Sequence, residues 1–222
     1  MTLKKNCRIA QVYENFIKLV KMDDLIFWKT NSKTRFYLNI GGFSQELKRE
    51  ICLENGTDQI NGYNHVGKID LIADKIMHSH PPQATIDDMT FDWFCKEVKH
   101  NDLEIWRLKQ DIGYTRKINI NQEFRRLVDF KYSKIRNKMV GAKYDWSVFF
   151  TLPFALMGIG MNARNWYHCA EIVFDSDRVE GIIDSSEGIN DALVSPNNII
   201  NSGLRRKVFG YYADEDKMDI RV

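Results

Sequence analysis

Residues 63–80 read YNHVGKIDLIADKIMHSH, and this stretch decides the expected fold. Its two ends, residues 65–69 and 73–80, have the short alternating apolar pattern of β-strands. Because only a few residues separate them, we predict that they pair as an antiparallel meander. Pairing would bring His78 beside His65, where a hydrogen bond between the rings would fix the tautomer of His65.

The rest of the chain predicts a mixture of helices and strands around this meander. Helices are predicted over residues 12–20, 44–53, 86–98, 122–139, 169–174 and after Ser195, and strands over 25–28, 36–40, 103–108 and 208–212. No internal repeat, low-complexity tract or linker rich in proline and glycine divides the chain. We therefore expect one α+β domain over residues 1–222, with an antiparallel sheet packed against helices.

The composition limits the classes of function. The 222 residues are 44% hydrophobic, which is enough to build a core and excludes a wholly disordered protein. A net charge of +2 excludes a strongly basic nucleic-acid-binding protein. The uncharged run at 146–163 contains a proline and two glycines, and it favours a buried or pocket-lining segment over membrane contact.

The cysteines and the first residues bear on the compartment. Cys7, Cys52, Cys95 and Cys169 are far apart and form no CxxC pair, so a reducing compartment fits better than a disulfide framework. Residues 1–6 are polar, and no apolar run of signal length follows them. We expect a cytoplasmic protein, and delivery from a virus or by a secretion machine would also fit.

One candidate chemistry is a thiol nucleophile at Cys169. An apolar helical run begins there, and aligned N–H dipoles at a helix start would stabilise both a thiolate and a developing oxyanion. His65 would accept the proton of the thiol, and His78 would orient His65. The alternative for Cys169 is a buried structural thiol, which is a common fate of cysteine.

A second candidate chemistry is a metal site. His78-Ser79-His80-Pro81 places two imidazoles on the same face of a strand, and Asp87 or Asp88 would complete a zinc site with an open position for water. The segment resembles the HxHP motif of JAMM-type metallopeptidases, although the spacer is shorter and the expected serine is missing. A glutamate at 46, 50 or 54 would have to complete such a site.

Seven segments in order resemble the circularly permuted papain-like amidases, the YiiX-like and lecithin:retinol-acyltransferase-like branch of the NlpC superfamily. They are DDLIF at 23–27, YNHVGKI at 63–69, IMHS at 76–79, IWRL at 105–108, GAKYDW at 141–146, YHCAEIV at 167–173 and VSPNNI at 194–199. The histidine precedes the cysteine, which is the permuted order. The chain departs from the pattern at Asp23, where glycine is usual, at Ala170, where serine is usual, and by an insertion at about 29–62.

The resemblance implies a permuted papain-like fold and a cysteine hydrolase that cleaves amide bonds, or ester and acyl bonds. It implies Cys169 as nucleophile, His65 as base, His78 as the third catalytic residue with His80 as a second candidate, and Tyr144 lining the substrate pocket. Neither a metal nor a cofactor is implied. The expected substrates are peptides, cell-wall peptides or acyl lipids, and the apolar run at 149–161 would either receive an acyl chain or form core. A non-catalytic binding module on the same scaffold is the third alternative.

Overall fold

A computed structural model describes residues 2–21, 23–30, 63–70, 75–99, 101–109, 134, 136–145, 166–179, 194 and 196–221. The helices bounded there are α1 (Thr2–Leu19), α2 (Phe91–Val98), α3 (Cys169–Val179) and α4 (Pro196–Asn201). The strands are β1 (Leu25–Thr30), β2 (Tyr63–Ile69), β3 (Lys75–His80), β4 (Gln83–Asp88), β5 (Asn101–Leu108), β6 (Lys143–Tyr144), β7 (Trp166–Tyr167), β8 (Arg205–Tyr212) and β9 (Lys217–Ile220).

Within the described ranges, these strands form one sheet in the order β7-β6-β4-β3-β2-β1-β5-β8-β9. Neighbouring strands are antiparallel except β6 and β7, which are parallel. Both faces are covered, because strand side chains alternate and successive residues of β1 enter different cores. The expected α+β class, with an antiparallel sheet against helices, is confirmed.

One face of the sheet packs against α1 and α2. The core on this face, called the α1-side core, contains Ile26 and Trp28 of β1 together with Phe16 of α1 and Phe94 of α2. The rings of Phe16 and Phe94 contact each other in a tilted arrangement, with a centroid distance of 5.0 Å and an interplanar angle of 45°. Burial of such side chains is worth about 1.5–3 kcal/mol each and fixes both helices on this face.

The opposite face packs against α3 and α4. The core on that face, called the α3-side core, contains Leu25 and Phe27 of β1, Val66 of β2, and Cys169 of α3. A buried ion cluster also joins helix to sheet there, because Asp177 of α3 pairs with Lys68 of β2 at 3.0 Å and with Arg205 of β8.

The predicted meander is confirmed, but the prediction of a helix over 86–98 is wrong in its first part. Residues up to Asp88 form β4, which pairs along its whole length with β3. Helix α2 begins only after Thr90, whose side-chain oxygen accepts a hydrogen bond from Trp93 N at 3.2 Å. Pairing with β3 overrides the helical character of this segment, and the Thr90 cap sets the true start of the helix.

Other elements agree with the sequence where the structure describes them. The strands at 103–108 and 208–212 and the helices beginning at Cys169 and Pro196 are confirmed. Of the predicted helix over 122–139, residues 134 and 136–139 are described and are helical. The predicted strand at 36–40, the predicted helix at 44–53, the apolar run at 149–161 and most of the expected insertion lie outside the described residues. Among the described helices, none combines the length and the apolar character needed to cross a membrane.

Candidate active site

Three side chains form a hydrogen-bonded chain on the face that α1 and α2 cover. His65 Nε2 lies 2.9 Å from His78 Nδ1, and His78 Nε2 lies 3.0 Å from Asp87 Oδ2. The three residues belong to β2, β3 and β4, so the register of the sheet sets their spacing. The predicted contact between His65 and His78 is confirmed, and Asp87 extends it to a third group.

The carboxylate at one end of this chain sets the direction of the hydrogen bonds. The hydrogen bond from His78 lowers the pKa of Asp87 although partial burial opposes it, so at neutral pH the carboxylate is ionised and only accepts. His78 therefore donates through Nε2, and in the neutral ring its Nδ1 accepts from His65 Nε2. His65 is left with an unprotonated Nδ1, the ring nitrogen nearer to the backbone of β2.

Neighbouring aromatic rings hold His65 and keep it neutral. Its ring centroid lies 4.7 Å from that of Trp28, which also stacks on His78 at an interplanar angle of 6°. Trp28 is anchored by a 2.8 Å hydrogen bond from its Nε1 to Glu97 Oε2. Burial, and then the charges of His78 and His80, hold the pKa of His65 well below its usual range. At neutral pH the His65 ring is therefore uncharged.

Gly67 gives the two histidines the space to meet. A Cβ atom at this position would lie 2.7 Å from Ile76 Cδ1 and 3.0 Å from His78 Cβ. Because the first distance is shorter than a normal contact, any larger residue at position 67 would displace the side chains of Ile76 and His78 on β3. The glycine two residues after His65 lies on the same face of β2, which explains the His-Val-Gly spacing.

Cys169 begins α3, and a capping box fixes this end of the helix. Glu171 Oε2 accepts a hydrogen bond from His168 N at 2.9 Å, and His168 Nδ1 accepts one from Ala170 N at 3.2 Å. The Cys169 side chain is 4% exposed and lies in the α3-side core. The sequence His-Cys-Ala-Glu therefore both starts the helix and directs the thiol toward the sheet.

The thiol lies where β2 and β3 separate. Ile69 N donates to Asp24 O on the β1 side, so by alternation the N–H of Val66 points toward β3. The register of β2 with β3 begins only at Gly67, which leaves the Val66 amide beside the Cys169 sulfur. Ser79, which would face Val66 if the ladder continued, instead donates its hydroxyl to Tyr167 O at 2.7 Å.

The electrostatic environment of Cys169 differs from the sequence-based expectation. Burial raises the pKa of the thiol to about 11, even though the backbone amides of Val66, Ala170 and Cys169 lower it. The sequence predicted that the helix start would stabilise a thiolate. At neutral pH it does not do so, because desolvation outweighs the amide dipoles. A proton acceptor is needed before this sulfur can attack a carbonyl.

The sequence-predicted pair Cys169 and His65 approach the opening between β2 and β3 from opposite faces. His65 pairs with Trp28 and shares the face of the α1-side core, whereas Cys169 comes from the α3-side core. No hydrogen bond joins the sulfur to the His65 ring among the described residues. The sulfur lies beside the amide of Val66, the residue after His65, but the two side chains lie on opposite faces of β2.

Tyr144, predicted to line the pocket, lies on the same side as the thiol. It belongs to β6, which pairs with Tyr167 of β7 just before Cys169. Burial, and then the charges of Cys169, Asp145 and Glu171, raise the pKa of Tyr144, so its hydroxyl stays protonated at neutral pH. Tyr144 can therefore donate a hydrogen bond to a group bound near the sulfur.

His80, the second candidate for the third catalytic residue, is not part of the hydrogen-bonded chain. Its Nδ1 lies 3.0 Å from the carbonyl oxygen of Pro81, and its ring centroid lies 4.8 Å from that of His78. His78, which contacts both His65 and Asp87, fits the orienting role better. His78, His80 and Asp87 nevertheless offer ligand atoms that all lie within 4.8 Å of one another.

Sequence reasoning considered Asp87 for a metal site only and gave no role to Trp28 or Ser79. The signal for Asp87 is the short turn at Pro81-Pro82, which folds β4 back on β3 and places an acidic residue diagonally across from His78, two residues beyond its partner Thr85. The contribution of Trp28 follows from its pairing with His65 in the register of β1 and β2, and that of Ser79 follows from its hydrogen bond to β7.

The raised pKa makes a prediction about alkylation of Cys169. We expect its rate of reaction with iodoacetamide to rise about tenfold per pH unit above pH 8 and to level only near pH 11, because the thiolate fraction sets the rate. Mass spectrometry of the peptide containing Cys169, with Cys95 as internal comparison, measures this. A plateau below pH 9 would show a thiolate already present in the resting protein.

Comparisons with known proteins place the chain in no family. No protein-family model matches the sequence. A search of the curated proteins likewise gives no significant match.

Proposed function

We propose that the protein is a cysteine hydrolase that cleaves amide or acyl bonds, with Cys169 as nucleophile and His65 as its general base. The observation that carries the proposal is the chain from Asp87 through His78 to His65. An imidazole oriented by a second group that ends in a carboxylate is the arrangement that activates hydroxyl and thiol nucleophiles. His78, which the sequence predicted as the third catalytic residue, is the group that orients His65 in this hydrogen-bonded series.

The chemistry follows from the protonation states. Neutral His65 takes the Cys169 proton on Nδ1 as the sulfur bonds to the substrate carbonyl carbon, and the carbonyl π-electrons move to oxygen. The Cys169 amide stabilises that oxygen. Collapse of the tetrahedral intermediate breaks the bond to the leaving group, which receives the proton from His65. Water, deprotonated by His65, then releases the acyl group from sulfur.

The raised pKa of the thiol is compatible with this mechanism. A thiol that is protonated at rest reacts by general-base catalysis, in which proton transfer accompanies attack. The acceptor is neutral because burial lowers the pKa of His65. The mechanism requires a rearrangement that brings the thiol and the His65 ring to the same side of β2, because the two side chains lie on opposite faces of it in this structure.

We also propose the permuted papain-like fold for this domain. Segments that carry the resemblance come together in space in two places. Asp24 of the first segment forms a bidentate ion pair with Arg107, at 2.8 and 2.7 Å, and Tyr144 lies beside the strand that leads into Cys169. Such contacts between distant segments are what a shared ancestral scaffold predicts.

Acyl-enzyme trapping tests the function. The full chain is mixed with p-nitrophenyl acetate, quenched in acid within seconds and digested, and we expect one acetyl group on the peptide containing Cys169. His65→Gln should slow acetylation at least about tenfold, because the base is lost. Acetylation of Cys95 instead, or product release with no acetyl-thiol at all, would contradict the assignment of the nucleophile.

The carboxylate gives a second prediction. Asp87→Asn should lower kcat on the order of 10²-fold, because an amide can donate to His78 Nε2 and so favours the wrong tautomer of both rings. The matched control is Asp88→Asn, an adjacent, more exposed carboxylate that pairs with Lys75 instead. Equal activity of the two variants would remove Asp87 from the mechanism.

A chelator separates this function from the metallopeptidase alternative. The cysteine mechanism predicts that a chelator does not lower turnover and that iodoacetamide stops it. Activity that disappears with chelator and returns with zinc would favour the metallopeptidase and contradict the role of Cys169.

A further inference from the structure

We propose that His78, His80 and Asp87 form a binding site for a divalent transition metal, of which Zn²⁺ is the best fit, and that the metal switches off the base His65. The metal site stands on its own geometry, and the switch rests on the proposed function. The three residues lie on one face of the β3–β4 hairpin.

The donor set and its spacing suit zinc. Two imidazole nitrogens and one carboxylate oxygen are ligands that zinc prefers, with water in the fourth position. A tetrahedral zinc ion holds its ligand atoms about 3.3 Å apart, as bonds of about 2.0–2.1 Å require. The three ligand atoms here already lie within 4.8 Å of one another, so small side-chain rotations complete the site. The hairpin supplies a rigid frame for all three.

Hydrogen bonds outside the ligand set already orient both histidines. His80 Nδ1 is within 3.0 Å of the Pro81 carbonyl, to which it donates, so Nε2 remains for the metal. His78 Nδ1 contacts His65 Nε2, so the other ring nitrogen, Nε2, can release its proton and bind the metal. Metal-binding histidines almost always use their other ring nitrogen in this way, and such partners tune affinity by about 10–100-fold.

Metal binding would reverse the direction of the hydrogen bonds. When the metal replaces the proton on His78 Nε2, His78 carries a proton on Nδ1 and donates it to His65 Nε2. His65 then carries its own proton on Nδ1 and no longer accepts one from Cys169. The proton count is unchanged, because the proton that leaves His78 Nε2 is matched by the one gained at His65 Nδ1. Bound metal therefore inhibits the hydrolase through the tautomer of His65.

Titration with metal alone tests the binding site, with no substrate needed. We expect calorimetry with ZnCl₂ to give one site per chain and Co²⁺ to give the visible absorption of a tetrahedral complex. Asp87→Asn and His80→Gln should each weaken binding at least tenfold, whereas Asp88→Asn should bind as the parent does. Far-ultraviolet circular dichroism verifies that each variant is folded. No binding at millimolar Zn²⁺, or equal affinity in all three variants, overturns the site.

A second measurement tests the switch. In Cys169→Ala, the affinity for Zn²⁺ should equal that of the parent, which rules out the thiol as a ligand. Zn²⁺ should then slow acetylation of Cys169 in the parent at least tenfold, and His65→Gln should lose this sensitivity because its base is already absent. Unchanged acetylation in the zinc-loaded parent overturns the switch and leaves the hydrolase assignment in place. A protein that binds Zn²⁺ but never acetylates Cys169 contradicts the hydrolase assignment and retains the metal site.

Discussion

Cys169→Ala is expected to lower the turnover of amide and ester substrates by at least about a thousandfold, because it removes the proposed nucleophile that forms the covalent acyl intermediate. The sulfur lies at the start of α3, beside the Val66 amide where β2 and β3 separate. Steady-state hydrolysis with the full chain measures the loss. Residual activity comes only from binding and from the amide that stabilises the oxyanion.

Two controls make this loss interpretable. Cys95→Ala removes a thiol on α2 and should leave turnover within about twofold, since that thiol lies outside the site. The Cys169→Ala variant should remain folded, with a stability loss of about 1 kcal/mol for one small buried group. If the variant keeps full activity, the assignment of Cys169 as nucleophile is wrong. The effect of His65→Gln then shows whether the hydrogen-bonded histidines activate water directly.

Asp177→Asn is expected to lower the free energy of unfolding by about 3–5 kcal/mol, because it removes the carboxylate that pairs with two buried cations. Lys68 and Arg205 are 0% and 2% exposed, and both pair with this carboxylate. The loss is a large fraction of the roughly 5–15 kcal/mol that stabilises a typical domain. Urea unfolding of both proteins measures it as a shift of the midpoint.

Asp88→Asn is the matched control for stability, because its ion pair with Lys75 is exposed and is worth at most about 1 kcal/mol. The pH dependence gives a further test. Burial alone would raise the pKa of Asp177, but Arg205 and Lys68 outweigh it and lower the pKa. Its stabilising effect is therefore present above the unfolded-state value of about 4 and is lost as the pH falls below it. Equal stability of parent and Asp177→Asn at neutral pH would contradict the ion cluster.

The same ion cluster bears on the position of the nucleophile. Asp177 lies on the helix that begins with Cys169, and Lys68 lies two residues after Val66 on β2. Its pairs fix α3 against β2, and this contact places the sulfur at the opening. We therefore expect Asp177→Asn to lower kcat even under conditions where the variant is folded, which circular dichroism beside the activity assay would verify.

Local sequence patterns were sufficient to predict the main strands and helices near the site and the pairing of two histidines. Alternation in residues 63–80 predicted β2 and β3, and antiparallel pairing then placed His65 beside His78. The apolar run over residues 169–174 predicted a helix start at Cys169. These inferences succeed because strand alternation and helical periodicity depend on neighbours along the chain.

Only the tertiary structure decided what surrounds those residues. Asp87 joins the histidines because β4 pairs with β3, which overrode the helical pattern of that segment. The thiol is protonated because the α3-side core desolvates it, and its face of the sheet is opposite to that of His65. Burial, and the approach of groups far apart in sequence, arise from the packing of the whole sheet, which no local pattern encodes.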